Sequence, residues 1–166
     1  MDYSHAMEEK PSRRVAVILE RRPVTSPWAT HQWQVAGLIP DVGGEPRVLL
    51  EREGVLQMVF PGFEVKLYRD EAEGYYLNVS SGEPCAFVSV RTDEGEADPH
   101  PFQVTASYNE AARWMDGGER VEKAAVDLAF AAWIGEWVEA NYRPEPRKRI
   151  RPDSFKGREG RIRERG

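Results

Sequence analysis

Short β-branched runs, each closed by glycine, proline or a knot of acidic residues, recur along most of this chain and limit the folds open to it. "RVAVILER" (Arg14 to Arg21) is one such run. "HQWQVAGLIP" follows it after the proline-containing turn "RPVTSPWA" and alternates apolar and polar residues around Trp33, Val35 and Leu38. A period of two turns one face of a strand into a core and the other towards water. "PRVLLERE" and "VLQMVF" stand on either side of Glu53-Gly54, the pattern of a tight hairpin. "FEVKLYRD" and "GYYLNVSS" flank the acidic turn Asp70 to Glu73, and "PCAFVSVRT" and "PFQVTAS" flank "DEGEADPH". About eight short strands with such frequent turn signals predict an antiparallel sandwich or partly closed barrel rather than a βαβ fold. No apolar run approaches the roughly 20 residues that span a membrane.

The strand rhythm stops at "SYNEAARWMDGGERVE", Ser107 to Glu122. Ser107 with Glu110 three positions on has the form of a capping box, in which each side chain satisfies the other's free backbone N–H. "YNEAARWM" is then predicted as a helix of about two turns, ended by Asp116-Gly117-Gly118 because glycine closes a helix in the left-handed conformation at no steric cost. "ERVEKAAV" reads as a short strand or an extended connection. Asp127 caps a second helix, "LAFAAWIGEWVEANY", where Phe130, Trp133, Ile134, Trp137 and Val138 recur at three- and four-residue spacing as one apolar stripe. The expected fold is therefore α+β: mainly an antiparallel β sandwich or partly closed barrel, with a short helix and a C-terminal amphipathic helix packed on it. Residues 14–142 form that single domain, between a flexible terminus over 1–13 and a basic, disordered tail over 143–166.

Charge supports this division. The 166 residues carry a net charge of -5, but Arg143 to Gly166 hold ten Lys or Arg against four Asp or Glu, a net of +6. An acidic body of net -11 thus ends in a basic tail whose large apolar residues are Ile150, Phe155 and Ile162. So little apolar area does not offset the entropy of ordering the tail. The N-terminal "MDYSHAMEEKPSRR" has no apolar core of a secretory leader, and the single cysteine, Cys85, forms no internal disulfide. A reducing, cytoplasmic setting is expected, in which Asn78-Val79-Ser80 matches a glycosylation acceptor by chance.

Chemistry is sparse. The histidines His5, His31 and His100 are scattered. His100 with Glu96 and Asp98 comes nearest to a metal set, although a solvated acidic loop accounts for the same residues. Cys85 on a strand reads as a small buried hydrophobe. No serine lies in a nucleophile elbow, and no glycine pair belongs to a phosphate loop. The carboxylates of Asp70 to Glu73 and Asp93 to Asp98 read as solvated faces. No catalytic residue, metal or cofactor is predicted.

What remains is docking. A helix stop needs Ser107, Glu110 and one glycine, whereas this stretch adds a second glycine and a Glu-Arg pair. The outward face with Asn109, Arg113, Asp116, Glu119 and Arg120 is therefore expected to meet a partner, since arginine makes forked bonds to carboxylate or phosphate. Local pairing of Arg113 with Asp116 or Glu110 is the alternative. Arg147, Lys148 and Arg149 in the tail extend the candidate surface. A protein partner suits them better than nucleic acid, because the acidic body repels a polyanion and no aromatic residues interleave with the basic run; a merely solubilising tail is the plainer reading.

Four segments carry a resemblance: "VAVILERRPVTSPWATHQWQVAGLIP", "EVKLYRDEAEGYYLNVSSGEPCAFVSVR", "VTASYNEAARWMDGGERVE" and "WVEANYRPEPRKR". Over roughly Arg13 to Arg149 the chain resembles a bacterial domain-of-unknown-function family encoded beside the genes of molybdenum- or tungsten-dependent formate dehydrogenases. Some of its members are described as molybdopterin-guanine dinucleotide biosynthesis proteins. The resemblance implies a non-catalytic accessory or assembly factor that binds formate dehydrogenase or its maturation machinery. The alternative it implies is an enzyme or small-molecule binder in molybdopterin cofactor biosynthesis. A pocket with convergent polar groups would favour the latter.

Overall fold

The computed structural model of the protein describes residues 11–144. The expectations for most of the N-terminal segment and for the tail, including Arg147, Lys148 and Arg149, lie outside these residues. Strand β1 (Ser12–Pro23) is central to a four-stranded antiparallel sheet of order β2-β1-β4-β3. Its Val15, Ala16, Val17 and Leu19 are all buried, so this β-branched run is core rather than surface. β2 (His31–Pro40) pairs along one edge of β1 and β4 (Val55–Lys66) along the other, with β3 (Arg47–Arg52) outermost.

The predicted β3–β4 hairpin is present. Glu53 (φ 52°) and Gly54 (φ 83°) both lie in the left-handed region, as a two-residue turn matched to strand twist requires. "VLQMVF" and the first half of "FEVKLYRD", expected as two strands, form the single strand β4. Pro61 and Gly62 sit in its bulge, where the ladder passes from Phe60↔Val17 to Phe63↔Val15. Proline is tolerated there because a bulge needs no donor from it. The Gly62 N–H, left without a ladder partner, donates to Asp41 Oδ1 at 2.9 Å.

One strand expectation is corrected. "GYYLNVSS" does not continue the sheet: a 3₁₀ turn at Arg69–Glu71 leads into helix α1 (Ala72–Val79). Aromatic and β-branched side chains raise strand propensity, but packing overrides it here. Ala72, Tyr75 and Asn78 fall on one helical face and are buried, and the Tyr75 hydroxyl accepts the Tyr68 N–H at 2.9 Å. Gly74 explains how close α1 lies to its neighbour, since a Cβ there would stand 2.0 Å from Ser107 Oγ.

The second sheet, of order β6-β5-β7, comprises β5 (Cys85–Arg91), β6 (His100–Thr105) and β7 (Arg120–Ala125), again antiparallel. Between β6 and β7 the chain forms α2 (Tyr108–Asp116), and it continues after β7 into α3 (Leu128–Asn141). Both predicted caps are in place: Ser107 Oγ accepts from Glu110 N at 3.0 Å and Asp127 Oδ1 from Phe130 N at 2.8 Å. The apolar stripe of α3 divides into buried Phe130, Ile134 and Val138 and half-buried Trp133 and Trp137. These side chains close one core with Val15, Val17, Leu19, Leu38, Val65, Val88 and Tyr75. The fold is α+β, as expected, with strands pairing only inside each sheet, so no closed barrel forms. No helix among the described residues is long and apolar enough to cross a membrane.

Candidate functional site

The predicted docking stretch is tied into the molecule more than its sequence suggests. Arg113 pairs with Glu71 of the 3₁₀ turn, rather than with Asp116 or Glu110 along its own helix. Glu71 Oε1 also accepts from Ser107 Oγ at 2.6 Å, and Asn109 Nδ2 donates to Glu73 Oε1 at 3.1 Å. The capping box is half-formed: Glu110 takes the Thr105 hydroxyl at 2.5 Å, and the Ser107 N–H goes to Thr105 Oγ1 at 3.1 Å. Glu119 accepts a forked pair from Arg91, Nη2 at 2.5 Å and Nε at 3.2 Å, which holds its carboxyl below the usual range. Arg91 in turn lies over the Phe102 ring. Arg120 donates to Trp33 O at 2.6 Å and to Glu122 at 2.7 Å, and Glu122 Oε1 accepts the Val35 N–H at 2.8 Å. Asp116 stays exposed at the helix end.

Most of the charged residues therefore brace this side of the molecule while Arg113, Asp116 and Arg120 stay exposed, and apolar residues between them face outward as well. Tyr108 and Met115 stand seven residues apart, on one face of α2, and are 50% and 51% exposed. The Tyr108 ring is held edge-on to Phe87 at 6.2 Å.

A second feature was not legible in the sequence. The β1–β2 connection and the β5–β6 loop border an open surface cleft of about 520 Å³. Its lining includes Arg21, Trp28, His31, Trp33 and Asp98. Arg21 and Trp33 are ladder partners, with the guanidinium 5.8 Å from the ring centroid. Arg22, Arg91, Arg113 and Arg120 each meet a carboxylate, whereas Arg21 meets none among the described residues, and its buried Nε has no hydrogen-bond partner there. Trp28 is 89% exposed on a loop closed by the Val24 N–H to Thr30 O bond at 3.1 Å. An indole inside the proline-marked turn "TSPWAT" was the available signal. The cluster with Arg21, Trp33 and Asp98 depends on strand register and a distant loop.

The loop around His100 is arranged differently from the expected trio. His100 Nε2 meets Asp93 Oδ2 at 3.0 Å and Nδ1 faces Pro101 O at 3.1 Å. The carbonyl bond and then the Asp93 carboxylate raise the imidazole pKa above its ordinary value. Glu96 joins this group, with the ligand atoms of all three within 4.8 Å of one another. Asp98 instead is among the residues lining the cleft. Cys85 is buried as expected, and burial pushes its thiol pKa up, away from nucleophilic use. Asn78 is buried too, with its amide spent on backbone groups.

The chain belongs to the family described as a protein of unknown function (DUF3305), whose model matches residues 14–151. No curated protein and no solved structure matches it.

Proposed function

We propose that this member of the DUF3305 family is a non-catalytic accessory or assembly factor of a molybdenum- or tungsten-dependent formate dehydrogenase system. It acts by binding a protein, either formate dehydrogenase or its maturation machinery. One observation carries the binding reading: the half-exposed Tyr108 and Met115 on the outward face of α2. Tyrosine and methionine are enriched where proteins meet, because each offers large contact area and methionine adapts its shape. The pairs Arg113–Glu71, Asn109–Glu73 and Arg91–Glu119 tie the surroundings of this face to neighbouring elements, which lowers the ordering cost for a partner that meets it. The formate dehydrogenase assignment draws on the four-segment resemblance.

The test is the double substitution Tyr108→Ser, Met115→Ser. These side chains are half in solvent, so the melting temperature should fall only slightly, through the lost Tyr108–Phe87 contact, while formate dehydrogenase activity in cells falls at an unchanged protein level. Full activity at normal protein levels would remove α2 from the interface. Alanine at Arg113 and Arg120 is a poorer test, because both also brace the fold.

The cleft favours a second reading, a small-molecule binder in molybdopterin cofactor biosynthesis. Aromatic and polar residues together border this open cleft, a combination that ligand sites use. It lies on different residues from the α2 face, so each reading can be tested without the other.

A further inference from the structure

We propose that the Arg21–Trp28–Trp33–Asp98 cleft binds a planar nitrogen heterocycle that carries a phosphate, with ring N–H donors read by Asp98 and the phosphate held near Arg21. This rests on the second reading above and names the ligand class it would need.

The first argument is an imbalance of charge. Arg21 is half-buried with its guanidinium over Trp33, no carboxylate among the described residues pairs with it, and its buried Nε has no hydrogen-bond partner there. A buried N–H without an acceptor is costly and the rest of the guanidinium meets no carboxylate among the described residues, so an anion arriving at the half-buried head would gain an interaction the protein leaves unmade. The second argument is shape. Trp33 is half-buried under the guanidinium and Trp28 projects almost wholly into solvent, so two indoles border one opening. Indoles in a cleft of about 520 Å³ suit a flat ring that can stack, and stacking on an aromatic side chain favours heterocycles without choosing among them.

The third argument is polarity across the cleft. Arg21, Ser26, Thr30 and His31 line it together with Asp98, which belongs to a loop also bearing Asp93, Glu94 and Glu96. A simple polyanion would be repelled by that loop, and a simple cation by Arg21. A ligand with an anionic end and an edge of N–H donors meets both, because an ionised carboxylate only accepts hydrogen bonds. Guanine presents two adjacent donors on one edge; adenine does not present that pair.

The experiment is calorimetric titration of the full chain with GMP, AMP, phenyl phosphate and inorganic phosphate. GMP should bind saturably, and inorganic phosphate at least about ten-fold more weakly for want of a ring to stack. Trp28→Ala should weaken GMP about ten-fold with an unchanged melt, since that indole packs on little. Asp98→Asn should reduce the preference for GMP over AMP. Phenyl phosphate binding as tightly as GMP would overturn the heterocycle assignment while leaving a small-molecule cleft. No binding of any organic probe would overturn both. Unchanged GMP affinity in Trp28→Ala would place the ligand elsewhere and overturn the proposal.

Discussion

Among single residues, Asn78 carries the largest polar role in the core. Its amide donates to Cys85 O at 2.7 Å and Ala106 O at 2.9 Å, and its carbonyl accepts the Cys85 N–H at 3.1 Å. One side chain thereby joins α1 to the start of β5 and to the segment leading into α2. Asn78→Ala orphans three buried backbone groups, and chemical denaturation should show a loss of about 2–4 kcal/mol. A loss below about 0.5 kcal/mol would mean these groups find other partners. His100 makes the case for pH. The bond to Pro101 O and the Asp93 carboxylate raise its folded pKa above the ordinary 6.5. Protonation then favours the folded state, so the contribution is complete below about 6.5 and fades as pH rises through the raised folded value. Relative to His100→Gln, the native protein should keep an advantage at acidic pH that shrinks toward neutral and alkaline pH. NMR titration of the imidazole at or below 6.5 would contradict this pairing.

At the scale of elements, α3 is what joins the layers. Its Ile134 is wholly buried, while Trp137 is half-buried and meets Tyr75 of α1 edge-on, with ring centroids 5.3 Å apart and planes at 88°. Trp137→Ala should cost about 3 kcal/mol in denaturant unfolding, at the low end for a tryptophan because part of the ring already faces water. A cost under about 1 kcal/mol would detach α3 from α1. The packing also explains why α1 is a helix. Only a helix brings Tyr75 to Trp137 while Asn78 reaches Cys85 and Gly74 lies against Ser107.

In the whole molecule, the two sheets are joined where β2 runs beside β7. No ladder closes this seam; side chains of β7 do. Arg120 donates to Trp33 O and Glu122 accepts the Val35 N–H, so the outer backbone of β2 is satisfied by a strand of the other sheet. Glu122→Ala frees the Val35 N–H and loosens Arg120, at an expected cost of about 1–2 kcal/mol. Hydrogen exchange at Val35 should accelerate selectively, and unchanged protection would show that the seam does not depend on Glu122. Because Trp33 also lines the cleft, this seam links the Ser107–Glu122 stretch to the candidate ligand site through one residue.

Local rules determined much of this protein from its sequence. Short β-branched runs between turn signals marked most of the strands, alternation marked β2, Glu53-Gly54 marked its hairpin, and Ser107 and Asp127 marked the starts of α2 and α3, because strand pleat, turn and cap act between neighbours in the chain. Where a contact spans tens of residues, only the tertiary structure decided. "GYYLNVSS" became a helix because Trp137, Cys85 and Ser107 surround it. Arg113 chose Glu71, forty-two positions away, over carboxylates on its own helix. Arg21, Trp28 and Asp98 came to line one cleft because the β1–β2 connection and the β5–β6 loop meet there. Sequence spacing carries the propensity of each segment, and the partner that overrides it is supplied by the fold.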